Sequence, residues 1–270
     1  MAPADHDSST TLVASRDRDG MFVSASADLV HLAQVLATSR YPLLAAACEH
    51  AHAMAATAAT LAESLAPATA CTRAGEGMWC AVNGSDRCAA RDVSAALHSI
   101  FDGGPCRLIN RSVIAAALVA LEADLEVAAT DGTRTMSADE YFALADANTA
   151  APRPADLRVV GAHLPAAAAD GLQRLFLPPH SAAGASVISL AAVQRSDGDV
   201  RLVLGGVFPR PYRVYNSVEE ETMAGGLDED AIAGLADRAL LDAEIDPRSA
   251  GRVDVAAALL RDAITAIAPA

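Results

Sequence analysis

The sequence predicts an α+β protein, with a helix-rich first half followed by a second half built on antiparallel strands. Apolar residues recur at helical spacing in the segment that follows Ser26. Beyond a proline- and alanine-rich break at 146–155, apolar runs flank the Asp-Gly turn of residues 196–199, which favours a β-hairpin. Two helical patterns close the chain. An antiparallel sheet covered on one face by helices is therefore the expected packing of the second half.

The first half begins with a polar stretch, residues 1–10, which predicts a disordered tail. A hairpin is expected over Leu12–Ala25, and Ser26 is expected to cap the helix that follows. A second helix is predicted after Pro42, reaching toward Leu65.

The middle of the chain contains a long loop, residues 68–110, with no clear helical or strand period before Arg91. Ser112–Ala120 predicts a short buried helix, and a hairpin is expected over residues 125–136. Ser137 and Glu140 form a capping-box pattern that opens another helix.

The second half has the alternation and turn signals of a sheet followed by helices. Its strands are predicted at Leu157–Leu164, Gly171–Leu177, Val187–Val193 and Val200–Phe208, and its long helices at Asp228–Glu244 and Val253–Ile267. Three parts are expected: a tail at 1–10, a first domain at 11–150, and a second domain at 156–270.

The charge of the chain restricts the partners it can have. All 20 basic residues are arginine, and the formal net charge is −14. This balance argues against nucleic-acid binding, which needs a basic face. The net negative charge would also repel an acidic partner, unless a local cluster of arginines bound that partner.

Cellular location is predicted from the N-terminus and the apolar runs. No secretory pattern is present at the N-terminus, and runs such as Val113–Leu121 are too short to span a bilayer. A cytoplasmic, reducing location without membrane contact is expected, so a disulfide framework is not.

Four of the five cysteines lie in the long loop, together with the only tryptophan, Trp79. Thiolates gathered on a loop suit a metal or iron–sulfur site, a disulfide staple, or one activated nucleophile. The four are Cys71, Cys80, Cys88 and Cys106. Cys48, in an alanine-rich helix, is expected to be a buried apolar residue.

The strand pair of the second half carries a family resemblance. SVISLAAV at 186–193, the Asp-Gly turn and LGGVFPRP at 204–211 resemble the FAD-containing medium subunits of molybdenum hydroxylases. That family includes CO dehydrogenase, xanthine dehydrogenase and 4-hydroxybenzoyl-CoA reductase. The resemblance implies a CO dehydrogenase flavoprotein-like fold, with an α/β domain followed by an antiparallel sheet covered by helices.

The cysteine loop resembles an insertion that is found in some members of this family and that binds a 4Fe–4S cluster. The C-x8-C-x7-C-x17-C spacing here surrounds LHSI at 97–100 and precedes NRSV at 110–113, where the family has HAI and HPSD. The resemblance would make Cys71, Cys80, Cys88 and Cys106 the cluster ligands.

The flavin loops of the family are not reproduced. The small N-terminal subdomain with the first glycine loop is expected to be absent. The second loop reads A-T-[IVL]-G-G-N in the family but ATLAES at 59–64 here. Glycine lets backbone approach a phosphate closely, whereas Glu63 brings a negative charge. FAD binding is therefore not expected.

If the chain binds no FAD, one of its cysteine thiols becomes a candidate nucleophile. Cys88 follows Arg87, which could lower its pKa. His98 is then the expected base, and Asn110 is expected to orient its imidazole, as in Cys-His-Asn enzymes. His98 as a structural histidine is the competing interpretation.

These observations lead to three functional hypotheses. The first is cofactor-free acyl transfer or cyclisation on a small-molecule or carrier-bound thioester, as in the stand-alone Dieckmann cyclases of actinomycete tetramate and pyridone pathways. The second is a flavin or iron–sulfur electron-transfer subunit of a molybdenum hydroxylase. The third is a non-catalytic binding module. The sequence predicts no oligomeric state.

Overall fold

A computed structural model describes residues 14–16, 20–54, 60–65, 85–86, 88–89, 98–101, 107–144, 157–179, 188–243 and 250–268. Within these residues the chain forms two antiparallel sheets and the helices between and around them. The strands are β1 Ala14–Arg16, β2 Gly20–Ser24, β3 Asp124–Ala129, β4 Gly132–Ser137, β5 Arg158–Pro165, β6 Gly171–Phe176, β7 Ser189–Arg195, β8 Val200–Gly205 and β9 Tyr212–Arg213. The helices are α1 Leu29–Ala37, α2 Pro42–Met54, α3 Leu61–Leu65, α4 Val113–Ala120, α5 Ala138–Ala143, α6 Ala166–Ala169, α7 Asn216–Ala224, α8 Glu229–Ala239 and α9 Ala250–Ile267.

The first sheet has the strand order β1-β2-β5-β3-β4, and every neighbouring pair is antiparallel. Its central strand, β5, lies beyond the predicted break, yet it pairs with β2 at Met21↔Leu164 and with β3 at Leu125↔Ala162. The predicted second domain, which starts at residue 156, thus includes a strand that is hydrogen-bonded within the first sheet. The first sheet draws β5 from the second half, because β2 and β3 each leave one edge open for it.

The second sheet has the order β6-β7-β8-β9. It matches the predicted antiparallel sheet, but helices cover both of its faces rather than one. Ala191, Val193 and Val203 belong to the core shared with α4, whereas Leu190 and Leu202 belong to the core with the C-terminal helices. Since side chains alternate along a strand, each strand supplies both cores.

Helix α4 lies between helix α2 and the second sheet, and all eight of its residues are buried. It packs against α2 on one side and against β7 and β8 on the other. Gly205 permits this approach, because a Cβ there would lie 2.6 Å from Ser189 Oγ and 3.4 Å from Ala116 Cβ. A buried apolar helix needs its first N–H groups satisfied, and Ser112 Oγ accepts from Ala115 N–H at 3.0 Å.

Several local predictions are confirmed. The capping box of Ser137 and Glu140 is present at the start of α5. The turn between β7 and β8 places Gly198 at φ +91°, in the left-handed region that glycine tolerates. The buried helix after Ser112 forms as expected.

Other local predictions are corrected. Asp28, not Ser26, caps α1, because its Oδ1 accepts from Val30 N–H and His31 N–H at 3.0 and 3.2 Å. The helix after Pro42 ends at Met54, and α3 is a separate short helix.

Three expectations fall outside the described residues: the tail at 1–10, the break at 146–155 and most of the cysteine loop. In the part of the chain that the structure describes, no helix is both long and apolar enough to cross a bilayer.

We expect Leu118→Ala in α4 to lower the free energy of unfolding by about 2–5 kcal/mol, because it leaves a cavity in a fully buried site. Leu241→Ala, at a side chain 75% exposed, is the matched control and is expected to change stability by less than about 0.5 kcal/mol. Urea unfolding followed by circular dichroism measures both. Equal effects of the two substitutions would contradict the central position of α4.

Candidate functional site

The predicted histidine and asparagine lie on two segments that meet at one turn. This turn, residues 206–208, follows β8 and is called the 206–208 turn below. Ile100 N–H donates to Val207 O at 3.1 Å, and Asn110 N–H donates to Phe208 O at 2.7 Å. Gly206 N–H donates back to Asn110 O at 2.8 Å. The fold therefore brings His98 and Asn110 to the same turn, from segments separated by the cysteine loop's last residues.

His98 is buried, with 7% of its surface exposed. Its carbonyl oxygen accepts from Nη1 of Arg252, and Nη2 of the same guanidinium donates to Gly206 O. Ser99 N–H donates to Arg107 O at 3.0 Å. The backbone of the histidine is thus held in place by groups from α9 and from the neighbouring segment.

Asn110 is also buried and has a structural task. Its Oδ1 accepts from Ser112 N–H at 2.9 Å, directly before the cap of α4. One lone pair of Oδ1 is used in this bond. Asn110 could orient the imidazole of His98 only through the other lone pair of Oδ1 or through its amide N–H groups. This role of Asn110 stays a prediction.

Cys88 is buried, with 8% of its surface exposed. Cys71, Cys80 and Cys106 lie outside the described residues, as does Arg87, so the predicted cluster set and the proposed activation of Cys88 stay predictions. Among the residues that the structure describes, no group of three or more His, Cys, Asp or Glu side chains could hold a metal ion.

The segment aligned with the second flavin loop is closed by the protein's own groups. Thr60 N–H donates to Glu63 Oε2 at 2.9 Å, and Glu63 N–H donates to Thr60 Oγ1 at 3.3 Å, which is a capping box. The N–H groups of Leu61 and Ala62 donate to carbonyls of the β2–α1 turn at 3.0 and 2.8 Å. No backbone N–H group in residues 60–63 is left for a phosphate, and a carboxylate covers the helix end. These residues do not fit an FAD pyrophosphate.

A buried charge network, centred on Glu219, lies at the end of the second sheet and was not predicted from the sequence. Glu219 is 3% exposed and accepts from Leu202 N–H at 2.9 Å and from Arg213 Nη2 at 2.7 Å. Burial raises the pKa of this carboxyl, while the hydrogen bond from Arg213 opposes that rise. The pattern VEEET gives no sign of which glutamate turns inward.

A cleft of about 190 Å³ lies beside this network, lined by Asp199, Arg201, Arg213, Asn216, Glu219, Glu220 and Met223. Its arginines are paired with carboxylates: Arg201 Nη2 lies 2.7 Å from Asp199 Oδ2, and Arg213 binds Glu219. The charges compensate one another, so the network serves the packing of α7 on β8.

The chain is similar in structure to oxidoreductases that are far from it in sequence. Carbon monoxide dehydrogenase from Hydrogenophaga pseudoflava matches at 18% identity and a TM-score of 0.59, over 94% of this chain and 77% of that one. Quinoline 2-oxidoreductase from Pseudomonas putida 86 matches at 16% identity and a TM-score of 0.59, over 95% and 78%. Reconstituted CO dehydrogenase from Oligotropha carboxidovorans matches at 15% identity and a TM-score of 0.59, over 94% and 77%.

No protein-family profile and no curated protein sequence matches the chain. The structural likeness establishes the fold: an α+β fold of the CO dehydrogenase flavoprotein type, as the family resemblance implied. The names of the similar proteins are those of oxidoreductases, and none of them concerns acyl transfer or cyclisation.

Cys48 is confirmed as a buried core residue, and its thiol is expected to be inert. Burial, with a smaller contribution from Glu49, raises the pKa of the Cys48 thiol to about 12. A raised thiol pKa leaves only about one thiolate in ten thousand at pH 8. We expect iodoacetamide to leave Cys48 unmodified in the folded protein at pH 8 and to modify it after unfolding in guanidinium chloride, as read by peptide mass spectrometry. Modification of native Cys48 at the rate of a free thiol would overturn this assignment.

Proposed function

We propose that this chain is a redox subunit of the molybdenum-hydroxylase type that transfers electrons through an iron–sulfur cluster. The observation that carries the proposal is the fold likeness over 94–95% of the chain to CO dehydrogenase and to quinoline 2-oxidoreductase. Both are oxidoreductases that act on different substrates, and redox chemistry is what their names have in common.

The chemistry of the donor set supports the cluster. Four cysteine thiolates are the ordinary ligands of a 4Fe–4S cluster, and the chain has four in one loop. Cys71, Cys80, Cys88 and Cys106 would hold it, and the cluster, when bound, supplies one-electron transfer. Cys88 is 8% exposed, which suits a ligand shielded from water.

No comparable observation supports FAD as the redox group of this chain. The closed capping box at residues 60–63 offers no N–H group to a pyrophosphate, and Glu63 would repel one. We therefore assign the redox role to the cysteines and not to FAD.

Anaerobically purified protein is expected to be brown, with visible absorbance and about four iron atoms per chain. Cys88→Ser is expected to lower the iron content and bleach the visible band, because a serine hydroxyl is a poor substitute for thiolate. Cys48→Ala, in the apolar core, is the matched control and is expected to keep both. Iron analysis and the ultraviolet–visible spectrum are the measurements, and an iron-free, colourless anaerobic preparation would sink the proposal.

Cysteine-dependent acyl transfer is the second candidate, favoured by one specific observation. His98 and Asn110 meet at the 206–208 turn, and Cys88 is buried like both of them. In this mechanism the Cys88 sulfur attacks a thioester carbonyl as His98 takes the thiol proton. The leaving thiolate then accepts that proton. In a Dieckmann cyclisation, His98 takes a proton from the activated methylene carbon, and that carbon attacks the carbonyl of the acyl-enzyme. The C–S bond then breaks, the ring is released, and the Cys88 thiolate takes the proton back from His98.

The second candidate is tested by trapping. Incubation with a β-ketoacyl thioester is expected to add the acyl mass to wild-type protein and to Cys48→Ala, but not to Cys88→Ala, because only Cys88 would carry the acyl group. Intact-protein mass spectrometry reads the adduct. No adduct on wild type, or an adduct that persists in Cys88→Ala, would exclude Cys88 as the nucleophile. Failure of both this test and the iron test would leave a binding module.

A further inference from the structure

Two large apolar side chains lie exposed where α7 begins and α8 ends, at residues 215 and 241–242, called the α7–α8 corner below. Tyr215, the residue before α7, is 41% exposed, and Leu241, just after the end of α8, is 75% exposed. The Tyr215 hydroxyl donates to a carboxylate oxygen of Asp242, the residue that follows Leu241. This bond holds the two helix ends together, so both apolar side chains belong to one corner. Apolar side chains that are exposed together mark interaction surfaces, whereas singly exposed ones are common.

The α7–α8 corner is joined to the segment that carries His98. Phe101, three residues after His98, forms an isolated antiparallel bridge with Ala243. The Phe101 ring stacks on Tyr212 with 4.4 Å between the ring centroids, and the Tyr212 hydroxyl donates to Ala239 O at 3.3 Å. A molecule that docks at this corner would therefore lie beside a segment of the cysteine loop.

The surface that α7 and α8 present around the corner is strongly acidic. Within residues 215–243 the exposed charged side chains are one arginine, Arg238, and seven carboxylates: Glu220, Glu221, Asp228, Glu229, Asp230, Asp237 and Asp242. Seven negative charges and one positive charge leave −6, out of −14 for the whole chain. Much of the negative charge of the protein is thus concentrated on this surface.

The stability of α8 accounts for only some of these carboxylates. Asp228, Glu229 and Asp230 lie at its N-terminal end, where the helix dipole favours negative charge. Asp237 and Asp242 lie at or beyond its C-terminal end, where the dipole disfavours negative charge. The two carboxylates nearest to Leu241 therefore need another explanation.

An apolar anchor within an acidic surface fits a cationic partner better than a second copy of this chain. Two copies would bring two acidic surfaces together, and each copy has a net charge of −14. A cationic segment would instead meet opposite charge, while its apolar side chains would exclude water from Leu241 and Tyr215.

We propose that the α7–α8 corner binds a cationic amphipathic segment of a partner protein. An apolar side chain of that segment packs on Leu241 and Tyr215, and its arginine or lysine side chains face Asp237 and Asp242. The apolar contact selects the partner, and the carboxylates supply an attraction that salt screens. The docking surface goes beyond the proposed redox function and does not depend on it.

The test titrates the full chain, without added iron, into a fluorescent synthetic peptide whose leucines recur at helical spacing and whose other positions are arginine, alanine and glutamine. Anisotropy measures binding. Leu241→Glu is expected to weaken binding at least about tenfold, although the substitution adds a charge that attracts the peptide. Met54→Glu is the matched control, because it adds the same charge at a side chain that is 59% exposed at the end of α2. Met54→Glu is expected to bind at least as tightly as wild type.

A second pair of variants tests the carboxylates. The double variant Asp237→Asn, Asp242→Asn is expected to weaken peptide binding by about threefold or more and to reduce its dependence on sodium chloride. The double variant Asp124→Asn, Asp131→Asn removes the same charge from exposed positions of the first sheet. It is expected to stay within about twofold of wild type. Leu241→Ala, which removes the apolar side chain without adding charge, is expected to weaken binding in the same direction as Leu241→Glu.

Four outcomes would overturn the proposal. One is a Kd of wild type for the peptide above about 1 mM. Another is equal binding by Leu241→Glu and Met54→Glu, since the net charge alone would then attract the peptide. The third is equally tight binding of a peptide with glutamate in place of every arginine. The fourth is a dimer of wild type in sedimentation equilibrium that Leu241→Glu abolishes, which would make a second copy the occupant.

Discussion

The burial of α4 between α2 and the second sheet is the constraint on which the rest of the structure depends. All eight residues of the helix are buried, so its ends must satisfy their polar groups inside the protein. Ser112 and Asn110 do this at the N-terminus, through bonds of 3.0 and 2.9 Å. The same helix covers the inner face of β7 and β8, which explains why the second sheet is buried on both sides.

The position of α4 also determines the candidate site. Because Asn110 must lie before the helix, its backbone pairs with the 206–208 turn, and that turn receives the His98 segment and Arg252 as well. Residues from four distant stretches meet there. The site is thus a by-product of capping a buried helix.

The overall fold is similar to that of the oxidoreductases, whereas the segment aligned with their second flavin loop is not. The whole chain follows the architecture of the similar oxidoreductases, whereas residues 60–63 have a self-bonded capping box where the resemblance aligns a glycine loop. Packing is preserved by any residues of suitable volume and polarity, but a phosphate-binding loop needs bare backbone. A fold can therefore persist after such a loop has changed.

The sequence by itself determined the fold class, the hairpins and the capping box of Ser137, because these depend on local periodicity and turn chemistry. The sequence also predicted that Cys48 is a buried core residue and that the carboxylate of Glu63 would repel a phosphate. Only the tertiary structure decided that β5 joins the first sheet and that Glu219 turns inward to Arg213. The physical reason is that both depend on packing of the core: β5 pairs with a strand far away in the chain, and Glu219 turns inward because α7 packs on β8. Neither leaves a periodic trace in the sequence.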